Sequence, residues 1–218
     1  MLKKKYNFIP VANPTVGIKE ANAVYKQVRS GWISMGKKVQ EFENKVKKFV
    51  GVKNAIAINN GTSALDALLT ALNISEKDEV IIPSLTYIST ANVVEYKKAK
   101  LVLCDSDPKT FNIDEKSLLQ KITKKTKLII ITDMKGMPVD YDFYKKLSKK
   151  TKIPIIADSA ESFGAKYKNK IIGSQLLAHT FSFFANKNLT TGEGGMIVTN
   201  SDLLSKKLKI IRNQGQNR

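Results

Sequence analysis

From about residue 50 onward, short apolar runs alternate with amphipathic stretches along the chain. Several runs, such as LIIIT and IPIIAD, are almost continuously apolar, which is typical of strands buried on both faces of a sheet. The predicted strands are Ala55–Asn59, Glu79–Pro83, Lys100–Cys104, Lys127–Thr132, Ile153–Ala157, Thr180–Phe184 and Gly195–Thr199. The predicted helices among them are Thr62–Leu72, Ser89–Lys97, Asp114–Ile122, Asp140–Lys149 and Asp202–Arg212, with Asp114, Asp140 and Ser201 as candidate N-caps. This order predicts an α/β fold, in which a mainly parallel seven-stranded sheet carries helices on both faces.

Two more helices, Lys19–Arg29 and Lys38–Phe49, are predicted before the first strand. We therefore expect an N-terminal helical segment over residues 1–50 and a large α/β domain over residues 51–218. No stretch reaches the roughly 18 to 20 apolar residues of a membrane span, and the basic start lacks the apolar core of a secretory signal. With one cysteine, Cys104, the chain can form no internal disulfide. We expect a cytoplasmic protein with no membrane partner.

Basic residues outnumber acidic ones, 37 against 19, which gives a formal net charge of +18. A nucleic-acid-binding protein is one interpretation, but such sites usually concentrate arginine and aromatic residues on one face. Here most basic residues are lysines, and they are spread over nearly every predicted helix. This favours a solvated basic surface without a specific nucleic-acid partner. A positive field would also attract an anionic substrate such as a nucleotide diphosphate.

Ligands of open parallel sheets bind beyond the carboxyl ends of the strands, so the residues after each strand are candidates for a site. Gly61, Thr62 and Ser63 follow the first strand and open a helix, where backbone N–H groups and hydroxyls suit a phosphate. An ordinary N-cap is the alternative for this turn. Tyr87 follows the second strand, where it could present an aromatic face to the same cleft or be a plain core or surface tyrosine.

Two charged residues follow later strands. Asp158 stands where a carboxylate is costly to bury unless it pairs with a cation such as a protonated pyridine nitrogen; a helix N-cap is the alternative. Lys187 lies between an apolar strand and the glycine-rich run GEGG, where partial desolvation favours the neutral amine that forms a Schiff base. Position, and not residue type, distinguishes Lys187 from the other lysines.

Five segments together resemble the DegT/DnrJ/EryC1/StrS aminotransferase family, whose members act on nucleotide-linked keto sugars. The run FSFFANKNLTTGEGGMIVTN is similar to the family's Schiff-base signature, and DSAESFGAKYKNKIIGS is similar to its pyridine-nitrogen motif. NNGTSALDALLTAL resembles the phosphate-binding turn and helix, DEVIIPSLTYISTAN the aromatic stacking segment, and SGWISMGKKVQEFE an N-terminal motif. The motifs occur in the family's order and span nearly the whole chain.

The resemblance implies a pyridoxal 5'-phosphate site and a role for each matching residue. Lys187 would be the catalytic residue, which holds the cofactor as a Schiff base and moves protons once glutamate displaces it. Asp158 would pair with the pyridine nitrogen, Tyr87 would stack on the ring, and Glu161 would lie near the ring hydroxyl. The phosphate would be held by Gly61, Thr62, Ser63 and Ser182. No metal is expected, because one cysteine and one histidine offer no credible zinc site.

The implied reaction moves an amino group from L-glutamate through the cofactor to a nucleotide-linked keto-deoxysugar. Glu161, together with SGWIS, resembles the perosamine-synthase branch, so the expected acceptor is C4 of a GDP- or UDP-linked 4-keto-6-deoxyhexose. The resemblance also implies a homodimer and a place in polysaccharide biosynthesis. A family dehydratase would carry histidine at the position of Lys187, which argues against that activity.

The chain also departs from the family. Family members are much longer, so we expect this chain to lack their smaller C-terminal domain and to be a fragment of a longer protein. A truncated cofactor-binding member without turnover is the alternative. Asp133 stands where the family usually has histidine, and Gln214 stands at another position where histidine is common. We interpret His179, the single histidine, as structural.

Overall fold

The apolar runs of the sequence form one seven-stranded sheet in the computed structural model, which describes residue 10 and residues 12–216. Its strands are β1 (Asn54–Ile58), β2 (Glu79–Pro83), β3 (Lys100–Cys104), β4 (Thr126–Thr132), β5 (Ile155–Asp158), β8 (Ala178–Ser182) and β9 (Gly195–Thr199), and a separate hairpin is formed by β6 (Lys166–Tyr167) and β7 (Lys170–Ile171). The helices are α1 (Ile18–Arg29), α2 (Lys37–Val50), α3 (Gly61–Ala71), α4 (Ser89–Tyr96), α5 (Glu115–Lys121), α6 (Tyr141–Thr151) and α7 (Asp202–Arg212).

The strands lie in the order β1-β9-β8-β5-β4-β2-β3. Strand β9 is antiparallel to both of its neighbours, and every other neighbouring pair is parallel. The predicted mainly parallel sheet is therefore confirmed. Because six strands run in one direction, the carboxyl ends of β1, β2, β4, β5 and β8 meet at the same edge of the sheet, together with the start of β9.

Alternating residues of the central strands face two helical layers, as the period of a strand requires. Ile81, Ile129 and Ile155 belong to a core shared with α2, α5 and α6. On the other face, Val80 and Leu128 pack with residues of α3, α4 and α7. Both faces are apolar, which explains the continuous apolar runs and confirms helices on both sides of the sheet.

Two strands begin two residues away from the prediction, whereas β1 and β4 begin one residue early. Strand β5 begins at Ile155 and not at Ile153, because Pro154 has no N–H to donate to a ladder; its carbonyl accepts from Ile129 instead. Strand β8 covers Ala178–Ser182, two residues earlier than predicted. The apolar pattern continues to Phe183, which is fully buried although it lies beyond the strand.

The connecting segments follow ordinary turn and cap chemistry. The predicted N-caps Asp114, Asp140 and Ser201 each accept a hydrogen bond from the first turn of their helices, which confirms them. The β6–β7 hairpin was not expected from the sequence. Its two turn residues, Lys168 and Asn169, have φ of 48° and 64°, so the turn is left-handed at both positions.

The two N-terminal helices differ in how they pack. Helix α2 places Val46 and Val50 in the core, whereas α1 has no buried residue. Several apolar side chains of α1 are therefore exposed, among them Ile18, Val24 and Val28. Within residues 12–216, none of the helices is both long enough and apolar enough to cross a membrane.

Candidate active site

A cavity of ≈ 500 Å³ opens at the edge where the parallel strands end. It is lined by segments that follow β1, β2, β4, β5 and β8, in agreement with the strand-end argument made from the sequence. Seven of the predicted site residues line it: Gly61, Thr62, Tyr87, Asp158, Glu161, Ser182 and Lys187. Segments distant in sequence are thus brought to one place by the sheet topology.

Lys187 lies in the loop after β8, and its side chain is only 19% exposed. The loop is held in place by the Lys187 N–H, which donates to the carbonyl of Phe184, and by the Asn188 side chain, which donates to the carbonyl of Phe163 at 2.6 Å. Lys187 Nζ is 3.9 Å from Oε1 of Glu161. The amine is therefore sheltered, points toward the cavity wall, and has a carboxylate beside it.

Asp158 is the last residue of β5, and its carboxyl group lies at the buried base of the cavity. Oδ2 accepts from Thr90 Oγ1 at 2.8 Å, and Oδ1 accepts from the Ala160 N–H at 3.3 Å. Burial raises the pKa of Asp158, while these two hydrogen bonds and the nearby charge of Lys187 act in the opposite direction. The residues after Asp158 form a turn and not a helix, so the alternative role as a helix N-cap is wrong.

The N-terminus of α3 opens onto the same cavity. Asn60 caps this helix through its side chain, which accepts from the Ser63 N–H at 2.7 Å. The N–H groups of Gly61 and Thr62 belong to the first turn, where the helix itself provides no acceptor, and they line the cavity next to Ser182. Ser63 does not line the cavity, and its N–H is already used by the cap. Its predicted contact with a phosphate is therefore not supported by its position.

Close packing fixes the α3 N-terminus against the sheet. A Cβ atom on Gly61 would lie 3.1 Å from Cβ of Ser182, and one on Gly195 would lie 2.4 Å from the carbonyl oxygen of Asn60. Position 195 therefore has no room for a Cβ atom, and position 61 has room only if Ser182 moves slightly, so glycine at both positions allows the helix start to approach the strands closely. The result is a narrow cradle with backbone donors and the Ser182 side chain on its wall.

Tyr87 and Glu161 are at the more open side of the cavity. Tyr87 is 74% exposed, so its ring is free to contact a ligand in the cavity. Glu161 contacts two lysines: Oε1 is 3.9 Å from Nζ of Lys187 and 3.5 Å from Nζ of Lys135, and Oε2 accepts from the Lys135 N–H at 3.0 Å. Glu161 therefore links the end of β5 to the loop after β4 and keeps a negative charge near the Lys187 amine.

The segment after β4 contributes cavity residues that sequence reasoning did not assign to the site: Thr132, Asp133, Met134 and Lys135. Asp133 was noted only as a departure from a family pattern, although the strand-end rule applies to β4 as it does to β5. The buried Asp133 carboxyl accepts from Tyr141 and Ser159, and Ser159 in turn contacts His179. His179 is fully buried within β8 and does not line the cavity, which supports its interpretation as a structural residue.

These groups define what the cavity can bind. The α3 N-terminus offers donors for a phosphate, and the buried carboxylate of Asp158 offers an acceptor for a protonated ring nitrogen. The sheltered amine of Lys187 can attack a carbonyl carbon. A phosphorylated pyridine aldehyde carries these three features in one molecule, so the residues present fit pyridoxal phosphate.

The comparisons with known proteins agree with this chemistry. The chain is 45% identical over 208 residues to a GDP-perosamine synthase from Caulobacter vibrioides, an alignment that covers 95% of this chain and 56% of that protein. It is 43% identical over 209 residues to a GDP-perosamine synthase from Escherichia coli O157:H7, covering 95% of this chain and 57% of that protein. The chain thus spans just over half the length of these curated relatives.

A solved structure shows the same relationship. The PLP-form of the putative sugar aminotransferase Spr1654 from Streptococcus pneumoniae superposes with a TM-score of 0.91 at 32% identity, covering 96% of this chain and 59% of that chain. Its PMP-form gives a TM-score of 0.92. Residues 14–218 match the model of the DegT/DnrJ/EryC1/StrS aminotransferase family, whose members depend on pyridoxal phosphate. This chain belongs to the DegT/DnrJ/EryC1/StrS aminotransferase family.

Proposed function

We propose that this chain carries the pyridoxal-phosphate site of a sugar-nucleotide aminotransferase. The observation that carries the proposal is the convergence of Lys187, Asp158 and the α3 N-terminus on one cavity. The amino donor would be L-glutamate, and the acceptor would be C4 of a GDP- or UDP-linked 4-keto-6-deoxyhexose. The similarity to GDP-perosamine synthases supports this acceptor class, and the strongly basic chain suits an anionic nucleotide sugar.

The phosphate would be held at the start of α3. Gly61 and Thr62 line the cavity at the positive end of the helix and would donate their N–H groups, and Ser182 of β8 would add a hydroxyl. Glycine at 61 and 195 lets the start of α3 pack closely against Ser182 and the start of β9. Because the cradle is formed by packed backbone, the phosphate would be fixed before any reaction begins.

Asp158 would pair with the pyridine nitrogen. A carboxylate that is buried and held by Thr90 and Ala160 can keep that nitrogen protonated. When bound, pyridoxal phosphate supplies an aldehyde that takes up amino groups and a protonated ring that accepts an electron pair. Tyr87 would cover one face of the ring and exclude water from it.

Lys187 would form the covalent link to the cofactor and move protons at its amine nitrogen. Glu161, 3.9 Å away, would orient this amine and stabilise its protonated form once the amine is released. Because Glu161 is also fixed by the Lys135 N–H, its carboxylate remains close to the reacting nitrogen. The predicted position of Glu161 near the ring hydroxyl is compatible with this second contact.

A chain that binds the cofactor without turnover is the second candidate. It is favoured by the exposure of Tyr87 at the cavity mouth. We further propose a homodimer, supported by the exposed apolar side chains of α1. A division of the chain near residue 50 stays a prediction. Cytoplasmic location and a role in polysaccharide biosynthesis remain predictions.

Absorbance spectroscopy tests the proposed function. The purified chain is mixed with pyridoxal phosphate, and spectra are recorded before and after L-glutamate is added. Lys187→Ala removes the amine, while Lys146→Ala, on the exposed face of α6, is the matched control. We expect a cofactor band that requires Lys187, is unchanged in the Lys146 variant, and is bleached by glutamate.

The other outcomes separate the candidates. A Lys187-dependent band that glutamate does not change would favour cofactor binding without turnover. A spectrum that is the same in the wild-type chain and in Lys187→Ala would contradict both candidates.

A further inference from the structure

Five buried polar side chains form a hydrogen-bonded cluster beside the cavity, which we call the Asp133 cluster: Asp133, Tyr141, Ser159, Ser162 and His179. Each is at most 2% exposed. Oδ2 of Asp133 accepts from Tyr141 Oη at 2.6 Å, from Ser159 Oγ at 2.7 Å and from Ser162 Oγ at 3.3 Å. Oδ1 accepts from the Val139 N–H at 3.2 Å. Tyr141, Ser159 and the Val139 N–H thus converge on one carboxyl group, while the single hydroxyl proton of Ser162 lies between this carboxyl group and the Ser159 carbonyl, 3.2 Å away.

These hydrogen bonds determine where the hydroxyl proton of Ser159 and the ring proton of His179 lie. Ser159 has one hydroxyl proton, and it donates that proton to Asp133. Its oxygen, 3.0 Å from Nδ1 of His179, therefore accepts from the ring, which places the single proton of a neutral imidazole on Nδ1. Nε2 then carries no proton, in agreement with its having no hydrogen-bond partner among the described residues. Burial raises the pKa of Asp133, while the hydrogen bonds from Tyr141, Ser159 and Val139 act in the opposite direction and favour the ionised acceptor.

The Asp133 cluster holds the backbone immediately after the Asp158 Cα atom. The Asp133 N–H donates to the carbonyl of Asp158 at 3.3 Å, and the Asp133 carboxyl binds the hydroxyl of Ser159, the next residue. The Ser159 N–H donates to the carbonyl of Thr180 at 2.9 Å, which ties the same turn to β8. Asp133 is thus the acceptor that keeps the turn after β5, and with it Asp158, in one conformation.

We propose that Asp133 is a positioning residue for Asp158: through Ser159 and through its own N–H, it fixes the Asp158 carboxylate toward the cofactor's ring nitrogen. The inference rests on the proposed function, in which Asp158 binds that nitrogen. Asparagine at position 133 would replace one carboxylate oxygen with an NH2 group, which would face either the hydroxyl donors of Tyr141 and Ser159 or the Val139 N–H. The turn would then have to rearrange to restore hydrogen bonding, and Asp158 would move with it.

A double-mutant cycle tests the proposal. Asp133→Asn and Ser159→Ala are each made in the wild-type chain and in the Asp158→Asn chain, and the dissociation constant for pyridoxal phosphate is measured by fluorescence. The pH titration of the bound cofactor's absorbance is recorded as a second readout. Tyr144→Phe is the matched control, since Tyr144 is another buried tyrosine of α6 that does not contact Asp133. Ser159→Ala carries the test if the Asp133 variant does not fold.

If Asp133 acts through Asp158, each variant weakens cofactor binding roughly tenfold in the wild-type background, as expected for loss of a hydrogen bond to a charged group. The same substitutions then change binding less than about twofold when Asp158 is already asparagine. Tyr144→Phe leaves the dissociation constant unchanged. Equal losses in both backgrounds, or no loss in either, would overturn the positioning role while leaving the proposed function intact. A wild-type chain that does not bind pyridoxal phosphate would overturn both.

Discussion

The hydroxyl of Thr90 donates to Oδ2 of Asp158 at 2.8 Å, although the two residues lie on different segments that follow different strands. Thr90 is fully buried in the first turn of α4, and Thr86 Oγ1 lies 2.9 Å from its hydroxyl. Parallel strand order brings the end of β2 and the end of β5 to the same edge, so a side chain after one strand can support a side chain at the end of another. The pKa of Asp158 depends on this contact, because the hydrogen bond from Thr90 lowers it.

Thr90→Val should move the pH dependence of cofactor binding. Burial raises the pKa of Asp158, and the Thr90 hydrogen bond lowers it, so removing the hydroxyl raises this pKa further. Because binding needs the ionised carboxylate, affinity is lost as pH falls through the Asp158 pKa, and the variant should lose it at a higher pH. Near that pH we expect roughly tenfold weaker binding. The dissociation constant measured across pH checks this, with Thr70→Val, an exposed threonine of α3, as the control. Identical pH midpoints in wild type and Thr90→Val would contradict it.

His179 should remain neutral in the folded chain. Burial lowers its pKa to about 3, and the cluster assigns its proton to Nδ1. Since the folded pKa lies below the unfolded value, its contribution to stability is complete above the unfolded pKa and is lost as pH falls toward 3. Nitrogen-15 NMR can follow this ring without ambiguity, because the chain has one histidine. We expect the Nδ1–H form throughout roughly pH 5 to 8; a ring that titrates in that range or carries its proton on Nε2 would contradict the hydrogen-bond assignment.

Gly195→Ala should displace the phosphate cradle. The new methyl group would lie 2.4 Å from the carbonyl oxygen of Asn60, the residue that caps α3, so either the strand or the helix must move. Overpacking of this kind costs about 1–3 kcal/mol of unfolding free energy. Gly17→Ala is the control, because its Cβ would meet nothing closer than 3.4 Å. The unfolding free energy measured in urea and the affinity for the cofactor should both be lower in Gly195→Ala. If both quantities equal those of the wild-type chain, the cradle is not tightly packed.

Arg212→Met should destabilise the chain without touching the cavity. Arg212 of α7 forms an ion pair with Glu43 of α2 and donates to the carbonyl of Ala57 at 3.2 Å, and the two side chains are 18% and 13% exposed. Removing one partner leaves a largely buried charge, which costs about 3 kcal/mol. The exposed pair Lys38–Glu41 is the comparison, and Glu41→Gln should change stability by less than about 1 kcal/mol. Similar urea midpoints for the two variants would contradict the buried pairing.

The sequence predicts the sheet well because its strands are buried on both faces. Continuous apolar runs such as Leu128–Thr132 indicate a strand. The rule that ligands bind at the carboxyl ends of parallel strands then indicates Asp158 and Lys187 as site residues. The direction of β9 is not visible in the run GMIVT, since an antiparallel and a parallel central strand have the same apolar pattern. Only its pairing with β1 and β8 determines that direction.

The Asp133 cluster shows where sequence reasoning ends. Its members come from the segment after β4, from α6, from the turn after β5 and from β8, so no local sequence spacing predicts that they meet. Asp133 is noticed in the sequence only as an unexpected residue, and Tyr141 and His179 resemble ordinary core residues. Their hydrogen bonds arise from tertiary packing, which brings a buried carboxyl group and its donors together.

The central claim, that Lys187 is the lysine that binds pyridoxal phosphate, is tested most directly by reductive trapping. The chain is incubated with pyridoxal phosphate, reduced with borohydride, digested, and mapped by mass spectrometry. We predict that one peptide, the one containing Lys187, carries the cofactor at near-stoichiometric yield, and that this label disappears in Lys187→Ala. A label distributed over the surface lysines, with the same pattern in the wild-type chain and in Lys187→Ala, would contradict the account.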